Sequence, residues 1–325
     1  MQSLKGQSGL KQAFSRMLAG GTVSHAVLIA GPDGSGKRTW GRALAQALLC
    51  SERQEQAEPC RRCLSCRQFQ SENHPSFVYL EPDGRNLKID QIRAIRGSLY
   101  LKGDSRVCLI NQAERMTAEA CSSLLKILEE PPPGLYFILL SAQPARLFTT
   151  ILSRCQRFTL QRLSESEITD ILNERTALHS VESVLVSRLS GGLPGAALGL
   201  AADEALEQRH ADAVQLVRDL SSGRAGSPHA LISRAAVLAE REDLIDFLAL
   251  VHLNFRDVLI WSLCRKEELM INPESAALWG DLCFTRGLED AVELINQTIM
   301  DLLTTNINRR LALEGLLFML QRRMS

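Results

Sequence analysis

Residues 25–37 read HAVLIAGPDGSGK, an apolar run that stops at a glycine and leads into a glycine-rich turn closed by a lysine. The run has strand character, and the pattern from Lys37 to Leu49 is helical. A glycine-rich turn between strand and helix lets backbone amides converge on phosphate oxygens, and the helix N-terminus adds positive potential. Gly31, Gly34 and Gly36 would shape such a loop, and Lys37 would reach the β and γ phosphates of a nucleotide. A strand–helix turn without a ligand is the competing reading. The motif calls for Ser or Thr directly after the lysine, as a magnesium ligand. Arg38 stands there instead, and Thr39 follows. A guanidinium cannot ligate a cation, so ATP or ADP binding stays open while Mg2+ placement is impaired.

Outward from this loop, apolar runs recur at SFVYLEP (76–82), RVCLINQ (106–112), LYFILLSA (135–142) and CQRFTLQ (155–161). Helical patterns lie between them at 89–102 and 117–130, the second stopped by Pro131, Pro132 and Pro133. Alternating apolar strands and helices predict a parallel α/β sheet covered on both faces. The pattern changes after about residue 162. Ser164 and Glu167 read as a capping box, followed by short helices at 165–175 and 181–190 and another after GGLPG (191–195). From about 206 onward the strong patterns are helical, with Leu244, Leu248, Val251, Phe255 and Val258 on one face and Leu313, Leu316 and Leu320 on another. SSGRAGSP (221–228) is expected to be an interhelical loop.

The 325 residues suffice for two or three domains, and 45% hydrophobic with 23% charged residues fits a globular protein. The formal net charge is zero, so no global field draws the chain to nucleic acid or membrane. No stretch reaches the ~18 consecutive apolar residues of a membrane span. The segment MQSLKGQSGLKQ lacks a signal peptide's apolar run, so a cytoplasmic location with reduced cysteines is expected.

Cys50, Cys60, Cys63 and Cys66 give C-x9-C-x2-C-x2-C, a spacing suited to tetrahedral structural zinc with no position left open for catalysis. An iron–sulfur cluster is the alternative, without any sign of electron transfer beside it. Arg61, Arg62 and Arg67 within the segment raise a further reading, an autonomous DNA-binding module. Few aromatics for base stacking and the neutral charge speak against it. Cys108, Cys121, Cys155, Cys264 and Cys283 read as small core residues.

An ATP-hydrolysing site wants an acidic pair after the strand at 107–110, where Asn111 and Gln112 stand. Asn111 keeps an oxygen but loses the charge that balances a dication, and Gln112 accepts no proton at neutral pH. Glu114 would substitute only if the strand end were displaced. TTILSRCQRF (149–158) puts Arg154 near a domain edge, either as a surface ion-pair partner or as an arginine inserted into a neighbour's ATP site.

These pieces together resemble the clamp-loader branch of the AAA+ family. The likeness is carried by SHAVLIAGPDGSGK (24–37), the inserted cysteines, SLLKILEEPPP (123–133), ILSRCQRF (151–158), GGLPGAAL (191–198) and NINRRLALEGLL (306–317). It implies an α/β AAA+ domain with a RecA-like parallel sheet over 1–162, carrying a zinc module at about 50–73. A small helical lid domain over 163–205 and an all-α C-terminal collar domain over 206–325 would follow. It further implies a subunit of the bacterial DNA polymerase III clamp loader, partnered by γ or τ and δ subunits. That assembly uses ATP to open the β sliding clamp and place it on primer–template DNA. Asn111, Gln112 and Pro194, the last where ATPase relatives carry an arginine sensor, fit the branch's non-hydrolysing member. Its arginine finger, supplied in trans to a γ or τ site, matches Arg154. Ser141 falls where the family has a small hydroxyl residue sensing the γ-phosphate. The rival is an ATP-hydrolysing motor subunit using Lys37, Thr39 and Glu114.

Overall fold

The computed structural model describes residues 4–21, 23–52, 58–99, 105–176, 180–221, 227–279 and 287–324. They divide into two compact units, Met1–Gly199 and Leu200–Ser325. The first unit runs α1 (Ser8–Ala19), β1 (Ala26–Ala30), α2 (Lys37–Leu49), α3 (Leu64–Gln70), β2 (Phe77–Leu80), α4 (Ile89–Leu99), β3 (Arg106–Ile110) and α5 (Ala118–Glu129). It continues with β4 (Leu135–Ser141), α6 (Thr149–Leu152), β5 (Gln156–Thr159), α7 (Glu165–Arg175), α8 (Ser180–Leu189) and α9 (Pro194–Ala201).

The five strands form one parallel sheet in the order β2-β3-β4-β1-β5. This is the parallel α/β sheet that the alternating strand and helix patterns predict. Every residue of β1 and β3 is buried because helices cover both faces, which is why these strands read as unbroken apolar runs. Alternate side chains serve opposite cores. Val27, Ile29, Val107 and Leu109 pack with Phe14 of α1 and Trp40, Leu44 and Leu48 of α2. Ala26, Leu28, Cys108 and Ile110 pack with Ile92 of α4 and Leu124 and Ile127 of α5. The register pairs Ala30 with both Ser141 and Thr159, so the turn after β1 lies at the C-terminal edge of the sheet, the edge at which open α/β sheets take ligands.

The capping box at α7 is formed, with the Ser164 amide donating to Glu167 Oε2 at 2.9 Å and the Glu167 amide to Ser164 Oγ at 3.3 Å. One boundary differs from expectation. α9 starts at Pro194, inside GGLPG rather than after it, because proline lacks only an amide that a first turn leaves unpaired anyway. Residues 53–57 of the expected metal module and 100–102 of the helical pattern at 89–102 lie outside the described residues.

The second unit contains α10 (Leu206–Ser221), α11 (Pro228–Ala239), α12 (Leu244–Cys264), α13 (Ala276–Trp279), α14 (Leu288–Thr304) and α15 (Arg309–Met324). Of the expected loop 221–228, residues 222–226 lie outside the described residues, Ser221 ends α10, and Ser227 caps α11. Among the described residues α12 alone is long and apolar enough, by length and composition, to cross a membrane. In this unit it is the central core helix, burying Leu244, Leu248, Val251, Phe255 and Val258. Its almost fully buried Asp257 accepts from the amides of Ile271 at 2.9 Å and Asn272 at 2.7 Å. Leu313, Leu316 and Leu320 form the buried face of α15.

Candidate functional site

The loop after β1 is closed by its own chain. Gly34 and Gly36 take left-handed φ values of 76° and 90°, and the Gly31 amide donates to the Ser141 carbonyl at 3.1 Å. Lys37 is buried. Its Nζ donates to the carbonyls of Gly31 at 2.7 Å and Pro32 at 2.9 Å and pairs with Asp33 Oδ1 at 3.3 Å. Phosphate oxygens reaching this ammonium would have to exchange with those three acceptors. The first turn of α9 sits directly on the loop, where the Gly195 amide donates to the Gly34 carbonyl at 2.7 Å. A Cβ on Gly195 would lie 2.9 Å from Gly34 Cα, so only glycine permits this approach. Between loop and helices remains a cavity of about 110 Å³ bordered by Ser35, Thr39, Trp40, Pro194 and Leu198.

At the end of β3 the Asn111 amide donates to the Leu80 carbonyl at 2.8 Å, tying the turn to β2. Arg38, in the magnesium-ligand position, lies 4.8 Å from the centre of the Tyr79 ring. The Tyr79 hydroxyl donates to Glu81 Oε2 at 2.8 Å, and burial raises its pKa above the ordinary tyrosine value. Arg38 thus takes the sequence position of the magnesium ligand, while its guanidinium lies on an aromatic face. Gln112 adopts a left-handed φ of 50° and opens a 3₁₀ turn over Ala113–Arg115. That turn carries Glu114 to the end of β4, where its Oε1 accepts from the Ala142 amide at 3.1 Å and its Oε2 is buried without a partner. Ser141 is wholly buried, and its Oγ accepts from the Gln143 amide at 3.2 Å. The Glu114–Ala142 link and the Arg38–Tyr79 pair escaped sequence reasoning. Their partners lie on different strands, and no spacing rule connects them.

The four cysteines meet. Their Sγ atoms all lie within 4.8 Å of one another, and those of Cys50 and Cys63 are 4.0 Å apart. Sulfurs about 2.3 Å from a tetrahedral zinc would be roughly 3.8 Å apart, so the donor set fits with little adjustment. Backbone amides already point at the sulfurs, from Cys60 to Cys50 Sγ and from Cys63 to Cys60 Sγ, both at 3.3 Å. Burial raises the Cys50 thiol above its ordinary value, and the Cys60 amide opposes that rise. The cluster follows directly from the end of α2, and α3 supplies Cys66 from its first turn.

Arg154 follows α6 and precedes β5, at the N-terminal edge of the sheet and away from the phosphate loop. Its guanidinium donates to the Thr150 carbonyl at 3.1 Å and pairs with Glu129 Oε1, at the end of α5, at 2.9 Å. The side chain keeps 35% of its exposure, so this group is oriented yet still reachable. Glu129 was missed as its partner, although it stands in the EEPPP stretch that ends the helix.

Residues 6–164 match the family model described as "DNA polymerase III, delta subunit". The DNA polymerase III subunit delta' of Bacillus subtilis is 39% identical over 156 residues, 47% of each chain. The DNA polymerase III subunit gamma of Buchnera aphidicola subsp. Acyrthosiphon pisum is 34% identical over 182 residues, 55% of this chain and 50% of its own. The chain thus spans about half the length of the curated relatives it matches. The crystal structure of a DNA polymerase III gamma subunit-related protein from Thermotoga maritima aligns at a TM-score of 0.48 and 17% identity, covering 97% of this chain and 100% of its own. The phosphate-loop sheet and its inserted cysteines lie inside the matched region, so it is over residues 6–164 that this chain is similar to DNA polymerase III subunits.

Proposed function

We propose that this chain is a non-hydrolysing clamp-loader subunit of the δ′ kind, which completes a neighbour's ATP site rather than running its own. The observation that carries this reading is the self-closed phosphate loop. Lys37 is held by Gly31, Pro32 and Asp33, Gly195 is bonded to Gly34, and β3 ends in two amides. In the assembly, residues 1–162 serve as the AAA+ domain, 163–205 as the lid and 206–325 as the collar. γ or τ subunits, δ, the sliding clamp and primer–template DNA are its working partners.

Arg154 supplies positive charge to the phosphoryl group transferring in an adjacent γ or τ site, and the Glu129 pair orients it meanwhile. Such an arginine is worth ~10³–10⁵ in rate in other NTPases. Cys50, Cys60, Cys63 and Cys66 hold a structural Zn2+, which contributes folding energy and no chemistry. The test is reconstitution with γ/τ, δ, clamp and primed DNA. Arg154→Ala is expected to fold normally and to lower DNA-stimulated ATP hydrolysis; unchanged hydrolysis removes the trans role.

Glu114 favours a second reading, an ATP-hydrolysing motor subunit, because its carboxylate is retained beside Ser141 with one buried oxygen unpaired. Single-turnover hydrolysis by the isolated chain, abolished by Lys37→Ala, would establish that reading and overturn the first.

A further inference from the structure

One face of α2 is turned away from the phosphate loop and carries Arg38, Arg42 and Gln46, spaced four residues apart along the helix. Opposite it stands the cysteine module, with Pro59 and Arg61 facing the helix and Phe69 beneath. Together they border an open pocket of about 490 Å³, within the size range of small-ligand sites.

The chemistry of the lining is one-sided. Three guanidiniums border the pocket, and no carboxylate is among the described residues that line it. Arg38 lies over the Tyr79 ring at 4.8 Å. Arg42 is fixed by Glu72 at 3.2 Å and lies over the rings of Phe69 and Phe77 at 5.2 and 5.8 Å. Gln46 adds an independent observation, since its Nε2 is buried and lacks any hydrogen-bond partner. A lining with three guanidiniums, no carboxylate and one buried unpaired amide donor is complemented by an anionic ligand rich in acceptors. Guanidiniums held in place by ring faces favour an oxyanion with several oxygens.

We propose that the pocket between α2 and the cysteine module binds a phosphate-class oxyanion, either a free phosphate compound or the backbone phosphate of a nucleic-acid strand. The site is separate from the phosphate loop, although Thr39 borders both cavities. The metal module then has a second role as one wall of a binding site.

Calorimetric titration of the full chain with sodium pyrophosphate, and separately with a short oligothymidylate, tests this. Binding is expected, weakened at least about tenfold for each guanidinium removed in Arg38→Gln and Arg61→Gln. Unchanged circular dichroism and metal content of the variants would show that folding is kept. Equal affinity for both probes assigns a free phosphate ligand. Binding of the oligonucleotide alone, with a log–log salt slope of about −2 for three contacts, assigns a strand. Both outcomes support the site. No binding of either probe overturns it, as does undiminished binding by the double variant. Loss in Lys37→Ala with retention in the double variant would place the anion in the phosphate loop and overturn it too. None of these results touches the trans role of Arg154, which is read from ATP hydrolysis in the assembled complex.

Discussion

Arg154 and Gly195 show how much of this chain's behaviour rests on single atoms. The ion pair between Arg154 and Glu129 is about half exposed on the carboxylate side, so it adds little stability, within about 1 kcal/mol. Glu129→Ala is therefore expected to leave the unfolding midpoint nearly unchanged while partly lowering the stimulated ATPase, less than Arg154→Ala does. Equal ATPase in Glu129→Ala and the parent would show that the pair does not orient the arginine. Gly195→Ala drives a methyl group to 2.9 Å from Gly34 Cα and must push α9 off the loop. A loss of about 1–3 kcal/mol in urea unfolding of the first unit is expected, with faster uptake of a fluorescent nucleotide analogue. The strand–turn–helix that the glycines and Lys37 form was legible in the sequence because it is local, set by a loop of a few residues. Gly195 was not, since its reason for being glycine is a backbone more than a hundred residues away.

At the level of elements, the central strands β1, β3 and β4 were legible because burial on both faces leaves no polar residue to interrupt them, whereas β5 at the sheet's edge is largely exposed. Helix starts were legible where capping chemistry is written in adjacent residues, as at Ser164 and Glu167. Ser164→Ala is expected to cost about 1 kcal/mol, measured by thermal unfolding. The ion network in the second unit was not legible, because it draws on α10, the stretch before it and the entry to α12. Asp243 accepts from Arg241 Nε at 2.8 Å and also pairs with Arg209, which in turn pairs with Asp203 at 2.6 Å. The Arg241 and Arg209 hydrogen bonds outweigh burial and hold the Asp243 carboxyl down at about 2, below its ordinary value of 3.8. The folded pKa lies below the unfolded one, so the stabilisation is complete above about pH 4 and fades as the pH falls towards 2. Asp243→Asn should destabilise the second unit by about 1–2 kcal/mol at neutral pH, and the difference from the parent should shrink in acid. A difference independent of pH between 2 and 7 would contradict this account.

At the scale of the whole molecule, the cysteine module is bound into the core of the first unit. Phe69 of α3 packs at 4.7 Å from Phe77 of β2, and Arg42 lies over both rings. Removing the metal with a mercurial reagent should release one zinc for four thiols and lower the melting temperature of the first unit by several degrees, leaving the second unit's transition in place. Of the remaining described thiols, exposed Cys264 reacts without releasing metal, Cys108 and Cys121 are buried, and Cys155 is half-buried; Cys283 lies outside the described residues. Burial pushes Cys108 up to about 12 and Cys121 and Cys155 up to about 11, so they stay protonated and unreactive. Four cysteines in a polar segment revealed the module in the sequence. The pocket it forms with α2 became visible only once the two were folded against each other.

The same division into two units has an optical consequence. Trp40 is the sole indole in the first unit and is buried beside the phosphate loop, edge-on to Phe14 at 6.2 Å. Trp261 and Trp279 belong to the second unit. With both of those changed to phenylalanine, emission from the chain reports on the loop, the docking of α9 and the α2 face alone. Departure of α9 would wet Trp40 and shift its emission to the red, giving a direct view of a motion that ATP turnover registers only through a neighbour.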